Sequence, residues 1–398
     1  MKDSHTAFLS ALRSFVQGTP PRELTEAQLR EVLELARIHS VYGILCYVYM
    51  KNPEGIPPAI LPALRQQCYT ELAVYAERAQ QMKVLAEALD NEGIDCLLFK
   101  GFVVREYYPV PELRTFGDID FVIRQEDREK SDALMKDLGY QPKENWEPVY
   151  AYVKGSEFYE VHTNVMEADV SDAADYVEYY SHIWEHTQPS MVVEKSHALE
   201  FKPEFHLLYL LTHIAKHISA SGAGIRMYLD IAFFIRHFGE TLDWKWVLEE
   251  LKKLHMDAFA NMVFTVVERW FGVAGPVECK AISQQTLDDF LAFTLEGGVY
   301  GFVGRDKGTV FLKQHNRNEE DVSKAKTLLY HAFPPKKVLE NRFTYLQKHG
   351  WLLPAAWVHR LAVSRKEWRR FADHTKDILQ ADSEEVLKLK RIYKEIGL

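Results

Sequence analysis

The chain has 398 residues, of which 47% are hydrophobic and 26% are charged, and its formal net charge is -9 at pH 7. This composition excludes general disorder, and the length is sufficient for two or three domains with buried cores. The acidic balance argues against a non-specific nucleic-acid-binding protein, because that function depends on a basic surface.

Cysteine spacing and hydropathy indicate the compartment. The four cysteines form no Cys-x-x-Cys pair, so neither a disulfide framework nor a zinc site is predicted. No apolar run approaches the ~20 residues that span a bilayer, and the first residues form an amphipathic pattern rather than a signal peptide. We therefore expect a cytoplasmic protein without a membrane partner.

Residues 1–92 are predicted to form an N-terminal helical region. Leu9 and Leu12 begin an apolar stripe at helical spacing, and Thr25 is a typical N-cap for the helix that follows. The last helix of this region is expected to stop at Gly93, since glycine commonly ends helices. The stripes predict packing rather than chemistry.

A short β-prone run over residues 94–99 brings Lys100 and Gly101 to the end of a strand. Ligands of open α/β sheets bind beyond strand ends, which makes Lys100 a candidate phosphate ligand. The glycine that follows allows a ligand to approach the backbone amides closely. A short helix is predicted next, over residues 103–108.

The next strand carries the most informative pattern of the sequence. Asp118 and Asp120 enter an apolar, β-prone run over residues 118–123. Because strand side chains alternate between faces, both carboxylates point one way, and the apolar side chains between and after them point the other way. Two anions this close repel one another unless a cation lies between them. The arrangement therefore predicts a divalent metal site.

A β-hairpin is predicted over residues 148–164, with its turn at Gly155. In the second strand of the hairpin, Glu160 and His162 share one face. If that face lies beside the aspartates, Glu160 completes a cluster of three carboxylates. Such a cluster suits Mg²⁺ or Mn²⁺, which prefer oxygen ligands and share their coordination sphere with substrate phosphates.

The motifs now described are a Lys-Gly pair, an Arg-x-x-Gly-Asp-Ile-Asp run that opens a strand, and a later Glu-Val-His strand. Together they resemble the uncharacterised nucleotidyltransferase family of the DNA-polymerase-β-like superfamily, over most of the chain after about residue 30. The resemblance implies that Asp118, Asp120 and Glu160 are the catalytic metal ligands. Many members of the superfamily carry Gly-Ser where this chain has Gly101 and Phe102, so a hydroxyl near the triphosphate is missing.

The resemblance also implies which residues contact the nucleotide. Lys100, Gly101, Arg114 and Gly117 are the candidates for steadying its phosphates. Arg114 has a second interpretation, as a surface partner of Glu112.

A helix is predicted over residues 204–219, and it carries His213, Lys216 and His217. The two histidines lie one turn apart, a spacing that can bind a transition metal. No third ligand accompanies them, which favours a structural or phosphate-facing role over zinc.

Further contacts are predicted around this helix. Arg226 and Asp230 lie one turn apart and are expected to pair with each other or with the histidines. The resemblance implies that Lys216 and Arg226 contact the triphosphate. His162 and His213 are candidates for orienting the acceptor.

The predicted fold is α/β, of the α+β type: a small mixed-sheet nucleotidyltransferase core flanked by N-terminal helices and a large helical C-terminal region. The predicted domains are the N-terminal helical region (1–92), the core (93–202) and the C-terminal helical domain (203–398). A last strand pair, over residues 191–194 and 198–201, is expected to complete the core.

The predicted function is metal-dependent transfer of a nucleoside monophosphate from a nucleoside triphosphate such as ATP to an acceptor, with release of pyrophosphate. Mg²⁺ or Mn²⁺ is the expected cofactor, and the reaction type is that of EC 2.7.7. Two rivals stay open: a metal-dependent phosphohydrolase, and a regulatory protein that binds a nucleotide without turnover. The net charge favours a small molecule or a protein as the acceptor over nucleic acid.

Overall fold

The structure of the chain is a computed structural model in which helices dominate both ends and strands lie between residues 97 and 201. The predicted α/β class, with a mixed sheet and flanking helical regions, is confirmed. The described residues are 2–143, 148–166, 170–171, 173–193, 196–220, 222–276, 282–299, 312, 323–340, 343–362 and 365–398.

The predicted N-terminal helices are present. The Thr25 hydroxyl accepts the backbone N–H of Gln28 at 3.3 Å, and the Gln28 side chain accepts the backbone N–H of Thr25 at 3.1 Å. This reciprocal capping fixes where the second helix begins. Gly93, with φ 66°, turns the chain after the fourth helix, as predicted. The helices are α1 (Asp3–Gln17), α2 (Glu26–Ile38), α3 (Tyr42–Met50) and α4 (Leu61–Asn91).

The strands of the described residues form one mixed sheet. They are β1 (Leu97–Leu98), β2 (Ile119–Val122), β3 (Gln141–Pro142), β4 (Val149–Lys154), β5 (Glu157–His162), β6 (Thr187–Pro189) and β7 (Leu199–Phe201). Their order in the sheet is β3-β4-β5-β2-β1-β7-β6. The pairs β2–β5 and β1–β7 are parallel, and the other neighbouring pairs are antiparallel.

The register of the central strands brings distant residues together. The predicted hairpin is confirmed by β4 and β5, which pair antiparallel around Gly155. Strand β5 then pairs in parallel with β2, and Asp120 lies directly opposite Glu160. Directly opposite residues on neighbouring strands point to the same face. Glu160 therefore lies beside Asp120, the arrangement that the sequence analysis left as a condition for a carboxylate cluster.

The helix that follows β1 begins earlier than predicted. It is α5 (Lys100–Val104), and a 3-10 turn over Arg105–Tyr107 continues it, where the sequence predicted a helix over residues 103–108. Lys100 has φ 52°, a left-handed conformation, so the chain turns sharply at the end of the strand and enters the helix at once.

The other α-helices of the described residues follow α5 along the chain. The structure confirms the helix predicted over residues 204–219, which extends from Pro203 to Ala220. These helices are α6 (Arg128–Asp137), α7 (Tyr176–Tyr179), α8 (Pro203–Ala220), α9 (Ile225–Phe238), α10 (Trp244–Lys253), α11 (Asp257–Phe271), α12 (Gln284–Gly297), α13 (Lys324–Ala332), α14 (Lys336–Leu339), α15 (Tyr345–Lys348), α16 (Leu353–Ala362), α17 (Arg365–Gln380) and α18 (Ser383–Ile396).

The sheet separates two hydrophobic cores. Ile119, Phe121 and Ile123 belong to the core that contains the second half of α4, and Val122 belongs to the core formed with α8, α9 and the N-terminal helices. This alternation is the two-residue period of a strand buried on both faces. Asp120 shares the face of Val122 and is therefore directed toward α8 and α9.

Helix α4 contributes to both cores. Leu64 and Cys68 pack in the core of the N-terminal helices, and Met82, Leu85 and Leu89 pack beneath the sheet. This 31-residue helix thus packs against both the N-terminal helices and the sheet, which the sequence analysis assigned to separate domains with a boundary at residue 92. The three-part domain division stays a prediction.

The last strand pair differs in part from the expectation. Strand β7 lies within the predicted range 198–201, but its partner is β6 (Thr187–Pro189) rather than residues 191–194, of which residue 194 lies outside the described residues. The buried carboxylate of Glu200 accepts hydrogen bonds from the Ser190 hydroxyl and the Met191 backbone N–H. These bonds hold residues 190–191 as the turn after β6.

Cys46, Cys68 and Cys96 are buried free thiols, and Cys279 lies outside the described residues. Within the ranges given above, no helix combines the length and apolarity that crossing a membrane requires.

Candidate active site

A cavity of about 260 Å³ lies on the face of the sheet that carries Asp120, with α8 and α9 on its other side. Most of the predicted site residues meet in it. Gly117 does not; it is exposed and lines a separate small depression, so its contact with the nucleotide stays a prediction. The predicted residues that line the cavity are Lys100, Gly101, Arg114, Asp118, Asp120, Glu160, His162, His213, Lys216 and Arg226.

The acidic side of the cavity is built by β2 and β5. Asp120, Glu160 and His162 each offer a ligand atom, and these atoms lie within 4.8 Å of one another. The His162 Nε2 lies 2.8 Å from Asp120 Oδ1 and 3.8 Å from Glu160 Oε2. The two-residue spacing of Glu160 and His162 along β5 places both on the face of Asp120.

Asp118 lies just before β2 and lines the same cavity, as strand alternation predicted. Burial, together with the negative charge of Asp120, raises the pKa of the Asp118 carboxyl. The sequence predicted a cluster of Asp118, Asp120 and Glu160. In the structure, the three residues whose ligand atoms lie close together are Asp120, Glu160 and His162. Asp118 as a metal ligand stays a prediction.

Lys100 crosses from the start of α5 to the acidic cluster. Its Nζ donates to Asp120 Oδ1 at 2.8 Å and lies 4.9 Å from the centre of the Phe99 ring. Burial by itself would raise the pKa of Asp120, but the Lys100 ammonium and His162 outweigh it and hold this pKa well below its usual range. The same pairing raises the pKa of Lys100 against the effect of its burial. Both groups are charged at neutral pH.

The donor set of the cluster fits a divalent cation. Two carboxylates supply oxygen ligands, and a neutral imidazole is a common metal ligand. The Nε2 atom of His162 donates to the ionised Asp120 carboxylate, which can only accept, so Nε2 carries a proton in this structure. The Nδ1 atom is buried and has no hydrogen-bond partner in the described part of the chain. Nε2 can therefore become a ligand only if its proton is lost or moves to Nδ1. Asp120 and Glu160 provide the charge that such an ion requires.

The opposite wall of the cavity is basic and comes from α8 and α9. His213 and His217 face each other with their Nε2 atoms 3.2 Å apart, and Lys216 and Arg226 lie beside them. Burial and the nearby Lys100 ammonium lower the pKa of His217 to about 4 and hold that of His213 well below its usual value. Both imidazoles are neutral at pH 7. A neutral imidazole can bind either a metal or a phosphate oxygen, so the phosphate-facing role of the two histidines stays a prediction.

Arg114 has a partner that the sequence did not predict. Its Nε and Nη2 atoms donate to the two carboxylate oxygens of Asp230 at 3.1 and 2.5 Å, and the Tyr108 hydroxyl donates to the same carboxylate. Glu112, the expected alternative partner, instead lies 3.5 Å from Arg105. Arg226, which was expected to pair with Asp230 or the histidines, donates to the Thr115 hydroxyl at 3.0 Å. Arg114 as a phosphate ligand stays a prediction.

Gly101 is required by the Arg114 side chain. A Cβ atom at Gly101 would collide with the guanidinium of Arg114, which packs against this backbone. Phe102, at the position where the superfamily commonly has serine, is 3% exposed and belongs to the core beneath the sheet. The departure from Gly-Ser thus places a core side chain at that position.

We expect Gly101→Ala to lower the free energy of unfolding by about 1–3 kcal/mol, because the added methyl group forces Arg114 away from Asp230. Chemical denaturation measures this change. Gly117→Ala is the matched control, since a Cβ there meets nothing within 4 Å, and its expected effect is below about 0.5 kcal/mol. Equal effects in the two variants would contradict the packing described for Gly101.

Sequence reasoning missed part of the lining. Asp230 lines the cavity from α9, although its spacing from Arg226 suggested only a pair within that helix. Val299 also lines the cavity, and it follows a glycine-rich turn in which the sequence showed no motif of a binding site. The contact of Val299 with the site is visible only in the structure, where its backbone packs against Gly224 so closely that a Cβ atom at Gly224 would not fit. His217 was visible in the sequence through its spacing from His213.

Paired carboxylates on adjacent parallel strands, facing lysine, arginine and histidine side chains, are typical of enzymes that transfer phosphoryl or nucleotidyl groups. The family model described as "Uncharacterised nucleotidyltransferase" matches residues 25–272 of the chain. The protein belongs to this family and is a nucleotidyltransferase.

No curated protein matches the chain. Among solved structures, the chain is similar to the solution structure of the antibiotic-resistance factor ANT(2'')-Ia, at 15% sequence identity and a TM-score of 0.33. That similarity covers 44% of this chain and 89% of the other.

Proposed function

We propose that the chain transfers a nucleoside monophosphate from a nucleoside triphosphate such as ATP to a small-molecule or protein acceptor. A bond forms between the acceptor oxygen and the α-phosphorus, the bond from that phosphorus to the β-phosphate oxygen breaks, and pyrophosphate leaves. The observation that supports this most is the β2–β5 register, which sets Asp120 opposite Glu160 in a cavity with a basic opposite wall.

The carboxylates are the proposed metal ligands. Asp118, Asp120 and Glu160 would hold Mg²⁺ or Mn²⁺, with His162 as a further ligand or as the side chain that orients Asp120. The bound cation would neutralise the triphosphate and activate the acceptor oxygen. The low pKa of Asp120 keeps this carboxylate ionised at any physiological pH.

The basic wall is the proposed triphosphate site. Lys216 and Arg226 lie across the cavity from the carboxylates and supply positive charge for phosphate oxygens. The neutral His213 and His217 imidazoles supply N–H donors without adding charge. His213 also orients the acceptor in this proposal. Arg114, engaged by Asp230, contributes by holding the start of α5 in place.

The fate of a labelled α-phosphate tests the proposal. The chain is incubated with Mg²⁺, each α-labelled triphosphate in turn, and a fractionated mixture of metabolites and proteins. Label on a new product with equimolar pyrophosphate is the expected result. Free labelled monophosphate in every fraction would indicate the phosphohydrolase instead, and unchanged triphosphate that stays bound would indicate the regulatory protein.

A further inference from the structure

The Lys100 ammonium neutralises Asp120, a carboxylate whose charge a divalent cation at this cluster would also require. Its Nζ lies 2.8 Å from Asp120 Oδ1, and the His162 Nε2 contacts the same oxygen at 2.8 Å. The Lys100 side chain is 17% exposed and that of Asp120 is 12% exposed, so water screens this pair only weakly. One carboxylate oxygen thus carries two contacts before any ligand binds.

The backbone of Lys100 is also unusual. Its φ of 52° is a conformation that residues with a Cβ atom seldom adopt. Such conformations persist only where the surroundings determine them strongly, and they cluster at ligand sites. The turn directs the side chain from the end of β1 into the cavity, where Phe99 contacts the ammonium from below.

A cation at Asp120 and the ammonium in its present position repel each other, because both depend on the charge of the same carboxylate. A divalent ion bound to Asp120 would lie within a few ångströms of a positive charge in a largely desolvated cavity. Lys216 and Arg226 on the facing wall are cations and offer the ammonium no partner. Among the other carboxylates of the cavity, Asp230 is paired with Arg114, and Asp118 and Glu160 are the other proposed ligands of the same cation. A polyphosphate in the cavity is the anion that can receive Lys100 when it leaves Asp120.

We propose that Lys100 alternates between two anions, and this inference rests on the proposed function. Without a divalent cation it neutralises Asp120; when the cation binds, it moves to the triphosphate. The cation and the triphosphate therefore bind cooperatively, and Lys100 carries the coupling. Because coupling between two ligands is reciprocal, each ligand strengthens the binding of the other by the same factor.

The coupling is measured by calorimetry with two probes, free Mn²⁺ and the preformed complex of Mn²⁺ with inorganic tripolyphosphate. The native chain is expected to bind free Mn²⁺ weakly and the complex tightly. Lys100→Met is expected to bind free Mn²⁺ at least about fivefold more tightly than the native chain and the complex at least about fivefold more weakly. Lys100→Gln repeats the test with a different neutral side chain, and Lys100→Arg, which keeps the charge, should stay close to the native values.

Lys216→Met is the matched control, because it removes a positive charge from the same cavity but from the opposite wall. This variant should bind the Mn²⁺–tripolyphosphate complex more weakly than the native chain does, and it should bind free Mn²⁺ no more tightly. The inference is overturned if Lys100→Met and Lys100→Gln bind free Mn²⁺ no more tightly than the native chain, or if Lys216→Met shows an equal increase in affinity for free Mn²⁺. If the native chain binds neither probe, the proposed function fails along with it. If the native chain catalyses nucleotidyl transfer but Lys100→Met binds both probes with unchanged affinity, the inference is overturned and the proposed function stands.

Discussion

Asp120→Asn is expected to reduce nucleotidyl transfer by about 10³-fold or more. The asparagine keeps the shape of the side chain but removes the charge that opposes Lys100 and that a divalent cation requires. Loss of one preorganised electrostatic group in an active site typically costs 10²- to 10³-fold in rate, and a shared metal ligand exceeds that range. Initial rates of triphosphate-dependent pyrophosphate release measure the effect.

Glu160→Gln should give a loss of similar size, since this residue faces Asp120 across the strand pair. Glu126→Gln serves as the control, because that carboxylate is exposed in the turn after β2 and lies away from the cavity lining. Its rate should stay within about twofold of the native rate. Substantial transfer by Asp120→Asn would remove this carboxylate from the catalytic machinery.

Asp230→Ala is expected to lower the free energy of unfolding by about 3–5 kcal/mol. The Arg114 and Asp230 side chains are 9% and 5% exposed and form two hydrogen bonds across 116 residues of sequence. Removal of the carboxylate leaves a guanidinium buried without its counter-ion, which costs far more than the net contribution of the intact pair. Urea denaturation followed by circular dichroism measures the loss.

A double variant separates the cost of a buried, unpaired guanidinium from the net contribution of the intact ion pair. Arg114→Met combined with Asp230→Leu removes both charges, and it should recover most of the stability that Asp230→Ala loses. Arg30→Ala provides the surface comparison, since Arg30 and Glu26 are 63% and 47% exposed and their pair is expected to contribute less than about 1 kcal/mol. Equal losses for Asp230→Ala and Arg30→Ala would contradict the burial described for the Arg114–Asp230 pair.

Local sequence patterns were sufficient to predict the centre of the fold. The alternation after Asp118 identified β2 and the face that Asp120 occupies, because the side-chain period of a strand is two. The hairpin was visible through two β-prone runs around Gly155, and the register then followed once β5 lay beside β2. The sequence patterns did not show that β5 lies beside β2, so Glu160 beside Asp120 was only a condition there, and its role as the third ligand came from the family resemblance.

Pairs between distant segments could not be predicted in the same way. The spacing of Arg226 and Asp230 on one helix suggested a local pair, but Asp230 is 4% exposed and accepts from Arg114 of another element. Only tertiary packing decides which of several arginines reaches a buried carboxylate. Likewise, Lys100 was expected to bind phosphate, and its contact with Asp120 depends on the left-handed turn at the end of β1, which a residue with a side chain seldom adopts.

The most direct test of the account is calorimetric titration of the chain with each of the four nucleoside triphosphates in the presence of Mg²⁺. The same titrations are made with Asp118→Ala/Asp120→Ala. The account predicts metal-dependent binding of at least one triphosphate to the native chain and no such binding to the double variant. If no triphosphate binds, or if the double variant binds as tightly as the native chain, the cavity is not a nucleotide site and the proposed function is contradicted.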